Sequence, residues 1–166
     1  MQSVPLRSIK ASLSRRMRSS GEDILHFSLQ GVLPSGHLLA VNPLLGTLSY
    51  IVNEDHHPRL IMQQQFTAGE MSVLMPLLEA YPYYCPYDTL LASFQYGNVT
   101  EATVERCREH LQEAQEEGIW DQEMRPMRNV LSRARLKLRT FGIEVSTIVE
   151  TGYILMYLPQ RKRKEA

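Results

Sequence analysis

The chain has 166 residues, and its 18 Lys and Arg are balanced by 18 Asp and Glu. That length suits one domain with a real core, and zero net charge gives no overall pull toward polyanions. Cys85 and Cys107 stand far apart and outside any CxxC spacing, so a disulfide framework and a zinc site are unsupported and a reducing cytosol is the simpler setting. No apolar run approaches the roughly 20 residues a membrane helix needs.

The average conceals segregation of charge. Residues 1–20 carry Arg7, Lys10, Arg15, Arg16 and Arg18 with no acid, and Leu6, Ile9, Leu13 and Met17 fall near helical spacing. Three readings of this segment stay open: a basic arm, an organellar transit peptide, or a terminus with no role. Residues 101–123 hold eight acids against Arg106 and Arg108. Residues 124–139 are basic again, and 161–164 read Arg-Lys-Arg-Lys.

Between residues 22 and 65 the pattern is four short β runs, at 24–29, 37–41, 47–52 and 59–64. Gly31, Pro34, Asn42-Pro43 and Asn53-Glu54-Asp55 break them. In the third, Leu48, Tyr50 and Val52 share a face, which predicts an antiparallel sheet with one side to be covered. Thr67 and Glu70 then make a capping box. Met71, Leu74, Leu77 and Leu78 form a helical stripe behind it, and Pro76 is expected to kink or shorten that helix. After an aromatic connection through Tyr81, Tyr83 and Tyr84, Pro86 sits in the first turn of a second helix. Asp88 lies at its positive end, and Leu90, Leu91 and Phe94 follow.

Residues 95–126 predict an added amphipathic helix. Asn98 with Glu101 reads as its capping box, and Val104, Cys107, Leu111 and Ala114 form a narrow apolar seam. Gly118 stops it, Ile119 and Trp120 anchor its end, and its exterior is acidic. A solvated acidic face laid back on the domain explains the same residues as a partner contact does.

The next helix, 127–140, is the most informative stretch. Met127, Val130, Leu131, Ala134, Leu138 and Phe141 project to one side. Arg128, Asn129, Ser132, Arg133, Leu136 and Arg139 project to the other, with Arg135 and Lys137 on the flanks. No acid occurs between Arg125 and Gly142, so an apolar back carries a basic front, the pattern a phosphate-lined groove requires. Gly142 stops the helix. Two β runs, 144–149 and 153–158, follow through Glu150-Thr151-Gly152, and a helix followed by a hairpin is the winged-helix arrangement.

Enzyme chemistry finds no foothold. Asp55-His56-His57 is the densest polar cluster, but adjacent histidines diverge from a strand or turn and rarely share a metal, so a polar turn is expected. Cys85 has no nearby base in sequence. Phosphate-cradling glycine loops, G-x-S-x-G and paired-carboxylate motifs are lacking.

The run LSRARLKL followed by STIVETGYIL resembles the end of an OmpR/PhoB-type winged helix-turn-helix DNA-binding domain. Leu131, Ser132, Arg133, Arg135, Lys137 and Leu138 match that family's helix, and Thr147, Ile148, Gly152 and Tyr153 match its wing. Thr67, Glu70 and Met71 match the start of its first helix. Ala134 and Leu136 depart from the helix pattern, and Val149 and Glu150 replace the wing's usual arginine and glycine. The likeness spans about residues 38–157 and is most specific over 131–155.

What the resemblance implies is an α+β fold: an N-terminal antiparallel sheet over 21–65, the first two helices over 67–94, an acidic helical insertion over 95–126, and a recognition helix and wing over 127–158. The insertion replaces a short family loop that often touches RNA polymerase. Residues 1–20 and 159–166 become basic appendages. The implied function is a sequence-specific, double-stranded DNA-binding transcriptional regulator without a receiver domain, cytoplasmic and associated with a bacterial-type nucleoid. Arg128, Asn129, Ser132 and Arg133 would read base edges; Arg135, Lys137, Arg139 and Thr147 would hold phosphates. Neither a metal nor a cofactor is implied. A homodimer at least on DNA is expected, with RNA polymerase or another protein as partner of the insertion. The alternative is a protein-interaction adaptor on the same scaffold, or a regulator whose basic helix the acidic insertion masks.

Overall fold

The computed structural model describes residues 24–158; the basic segments at 1–20 and 161–164 lie outside the described residues. The short β runs broken by turn residues in the first third give β1 (Leu25–Phe27), β2 (His37–Asn42), β3 (Thr47–Glu54) and β4 (His57–Gln65), an antiparallel sheet in the order β1-β2-β3-β4. Phe27, Leu39, Val41 and Leu48 are buried on one face, as alternation requires. The last hairpin is tighter than expected. β3 runs on to Glu54, and Asp55 and His56, both at positive φ, form a two-residue turn. His57 therefore opens β4 and the Asp55-His56-His57 cluster straddles a turn and a strand.

Four helices follow among the described residues: α1 (Ala68–Ala80), α2 (Tyr87–Tyr96), α3 (Glu101–Glu116) and α4 (Trp120–Arg139). The capping box of α1 is present, with Thr67 accepting from the Glu70 amide and Glu70 accepting from the Thr67 amide. α1 runs on through Pro76 to Ala80, so the shortening expected of that proline does not occur. A proline frees the carbonyl four residues before it, here that of Ser72. The Ser93 hydroxyl of α2 donates to that carbonyl at 2.5 Å, so the broken ladder is repaired from a neighbouring helix. Pro86 is the N-cap of α2 rather than its first turn, and Asp88 lies in the first turn as expected.

The start of α3 also corrects the sequence reading: Thr100 and Thr103, not Asn98 and Glu101, make the reciprocal cap. A larger correction concerns α4. It begins at Trp120 and continues through Pro126, so residues 120–126 belong to the basic helix and not to the insertion. Asp121 and Glu123 in the first turn favour this earlier start by facing the positive end of the helix.

A second antiparallel sheet, in the order β5-β7-β6, combines β5 (Cys85–Pro86) with the hairpin β6 (Ile143–Ile148) and β7 (Gly152–Tyr157). Gly152 pairs with Pro86, and a Cβ there would lie 2.1 Å from the Cys85 carbonyl oxygen, so only glycine permits this approach. One buried cluster joins Phe27, Leu39 and Leu48 of the first sheet to Leu74, Leu78, Leu91, Leu131 and Leu138 of the helices and Val145 and Leu155 of the hairpin. The α+β class read from the sequence is the class observed.

Candidate nucleic-acid interface

Helix α4 has the two faces its periodicity predicts. Met124, Met127, Leu131, Ala134 and Leu138 are buried, Val130 is half-buried, and Phe141 beyond the helix is buried. Asn129, Ser132, Arg133, Leu136 and Arg139 are exposed, while Arg128, Arg135 and Lys137 are half-buried on the flanks.

The front is less basic in space than in sequence, because the fold delivers acids to it from elsewhere. The Arg128 guanidinium lies 4.7 Å from the Trp120 ring centre and 3.1 Å from Asp121, about two helical turns earlier. Arg139 makes a two-pronged contact with Glu144 of β6, at 2.9 and 3.4 Å. Arg135 reaches the same carboxylate only at 3.8 Å, and its buried Nε has no hydrogen-bond partner among the described residues. Lys137 donates to Glu70 at 2.8 Å and to the Gln65 carbonyl at 2.6 Å, with its ammonium 5.2 Å from the Phe66 ring centre. Its charge is thus turned inward, toward the end of β4 and the cap of α1. The Glu70 carboxyl is raised by burial, but hydrogen bonds from Lys137 and Thr67 outweigh this and hold it below the usual glutamate range.

Arg133 and Asn129 remain with uncommitted side chains among the described residues. The Ser132 hydroxyl donates back to the Arg128 carbonyl at 2.9 Å. Thr147 is exposed on β6, opposite Tyr153 of β7. Of the eight predicted side chains, Arg128, Ser132, Arg135 and Thr147 meet around a cleft of about 230 Å³ between α4 and the hairpin. Asn129, Arg133 and Arg139 are not part of its lining, and Lys137 is on the far flank.

Helix α3 buries Cys107, Leu111 and Ala114 and leaves its acids outside. Arg108 pairs with Asp88 of α2 at 3.0 Å and with Glu105 at 2.8 Å, and His110 contacts Glu123 of α4 at 3.0 Å. Among the described residues, no acid of α3 pairs with a basic side chain of α4. A second, larger groove of about 720 Å³ opens where α3, the start of α4 and the hairpin tip meet, with Tyr87 and Trp120 in its wall.

Sequence reasoning missed Glu70, Asp121 and Glu144 as counter-charges. Glu144 had a local signal, five residues beyond Arg139 just past the Gly142 stop; the Glu70–Lys137 pair had none. Burial, reinforced by Asp88 and Glu79, pushes the Cys85 thiol up to about 12, and burial also raises Cys107. Among the described residues no group of His, Cys, Asp and Glu is placed to hold a metal ion, and no helix is long and apolar enough to cross a membrane. Comparison with protein-family models, with curated proteins and with solved structures gave no match.

Proposed function

We propose that the chain is a sequence-specific, duplex-DNA-binding regulator on a winged-helix scaffold, with α4 as the major-groove helix and β6–β7 as the wing. The observation that carries this reading is the uncovered outer row of α4. Asn129, Ser132 and Arg133 stand exposed on a helix whose back is fixed in the core, beside a hairpin that can straddle the backbone. An α-helix fills the major groove, and Arg with guanine or Asn with adenine are its productive pairings. Arg128 joins them at the edge of the row. Arg135, Arg139 and Thr147 would meet phosphates, the two arginines by exchanging the Glu144 carboxylate for a phosphate oxygen. Lys137 has a different task in this reading, holding α4 against α1 through Glu70.

Residues 24–158 alone carry nine Lys and Arg against fifteen Asp and Glu, so the basic excess lies in the two ends of the chain. The proposal therefore gives the ends a share of the electrostatic attraction to DNA. A regulator of this kind would work in the cytoplasm, at the nucleoid, and would pair with a second copy on adjacent half-sites; the acidic face of α3 is the surface left for RNA polymerase or another protein.

The test is a pair of substitutions. Arg133→Ala should relax sequence choice and cost about 1–3 kcal/mol on the preferred site, whereas Arg139→Ala should weaken all sequences alike. Equal, sequence-blind effects would remove the base-reading role.

One observation favours a second reading, a protein-interaction adaptor. Four of the cations of the front already have an acid partner in the fold. On that reading Arg133 and Leu136 contact an acidic, partly apolar protein surface. Deleting the insertion cannot separate the two, because Cys107, Leu111 and Ala114 are core residues. Replacing the exposed Glu105, Glu109, Glu113 and Glu116 by Gln can. The regulator should then bind DNA more tightly at low salt, and the adaptor should gain no sequence-specific binding.

A further inference from the structure

We infer that the groove between α3, the start of α4 and the hairpin tip is a binding site for a small molecule with a flat aromatic body and one carboxylate. Its volume of about 720 Å³ falls in the range of sites that enclose drug-sized ligands. Two half-buried rings wall it: Trp120 and Tyr87 meet edge to face at 5.4 Å, and Tyr87 is held from behind by Tyr153 at 5.3 Å. Leu111 and the hairpin-tip Val149, 79% exposed, complete an apolar lining that a flat body would cover. Such walls favour stacked or edge-on aromatic contact.

The charges select the anion. Arg128 lies over Trp120 inside the groove, and its acid partner Asp121 is 81% exposed, so their attraction is weakened by solvent. A carboxylate seated beside Trp120 would be better shielded and would offer the guanidinium a two-pronged contact. Arg108 is already committed to Asp88 and Glu105. Glu150 and Asp88 line the same groove and repel a second negative charge, which favours a monoanion. The binding claim does not depend on DNA recognition. Arg128 also lines the cleft beside the outer row of α4, so if the DNA reading holds, an occupied groove withdraws this guanidinium from DNA; that coupling alone rests on the proposed function.

Trp120 is the only tryptophan in the chain, so its emission reports on the groove. The full chain would be titrated with benzoate, 1-naphthoate and indole-3-acetate, with benzamide and 1-naphthamide as neutral controls and phthalate as the dianion. Binding would be followed by Trp120 fluorescence and by the NMR resonance of its indole N–H. At least one monoacid should saturate with a Kd of about 1 mM or tighter, and its amide and phthalate should bind roughly tenfold more weakly. Arg128→Gln should abolish the preference for acid over amide, and Gln112→Phe, which narrows the groove, should weaken all the probes. Both replaced side chains lie outside the core, and an unchanged thermal midpoint verifies folding. Equal binding of acids and amides to the wild type, binding unchanged in both variants, or no saturable signal with any acid would each overturn the proposal.

Discussion

Glu70 and Lys137, 67 positions apart in sequence, meet at 2.8 Å with the glutamate side chain only 2% exposed. Glu70 is also the reciprocal member of the α1 capping box, so one carboxylate ends a helix and fixes the helix that carries the basic front. The second oxygen of the same carboxylate is buried without a partner among the described residues, so within them the group is only partly satisfied.

Removing the ammonium should therefore be costly. Lys137→Met is expected to lose about 3 kcal/mol in urea unfolding at neutral pH, because it strands a buried charge. The pH dependence has a definite sign. The folded-state pKa of Glu70 is depressed, so its contribution is fully present above the ordinary glutamate range and lost as pH falls through the folded value below it. In Lys137→Met this acid limb should flatten. A variant with wild-type stability and an unchanged acid limb would show that the pair does not hold α4.

The repair of the α1 ladder makes a separate prediction. Ser93→Ala leaves the Ser72 carbonyl unpaired at the helix contact and should cost about 1–2 kcal/mol. In a Pro76→Ala background residue 76 regains an amide hydrogen for that carbonyl, so the Ser93→Ala penalty should shrink. Additive losses in the double-mutant cycle would mean that the two residues act independently.

Cys85 and Cys107 are fully buried free thiols with raised pKa values, so both should resist thiol reagents in the native protein. At mildly alkaline pH, labelling should proceed only at the rate of global opening and accelerate with urea. Prompt stoichiometric labelling of folded protein would contradict the burial of Cys85 under the β5–β7 pairing and of Cys107 on the inner face of α3.

Glu144 neutralises two arginines of the front at once. If those arginines serve phosphates, Glu144→Gln should tighten binding to any duplex at low salt and steepen the salt dependence by about one phosphate contact. Stability should change by less than about 1 kcal/mol, since these ion pairs are only partly buried. Unaltered affinity and slope would place the pair outside the interface.

Much of this architecture was legible in sequence. The sheet followed from alternation and turn residues, α1 from Thr67 and Glu70, and the hairpin from Gly142, the β-branched run and Gly152. The limits had physical causes. Pro126 read as a boundary, yet a proline in an exposed helical turn leaves its freed carbonyl to water, and α4 runs through it. Pro76 was expected to kink or shorten α1 because its compensation, Ser93, lies on another helix. The basic front was visible as a one-sided pattern, but the acids that neutralise it come from α1, from the first turn of α4 and from β6, and no local window contains all three.

The most direct test of the central claim is selection of the purified full chain on a random duplex pool at near-physiological salt. The DNA-binding reading predicts an enriched motif, and for a DNA-assembled dimer a repeat spaced about 10–11 base pairs, with Arg133→Ala blurring specific positions within it. Binding without any enriched sequence, or no binding at all, would contradict it and leave α4 as a protein-contact surface.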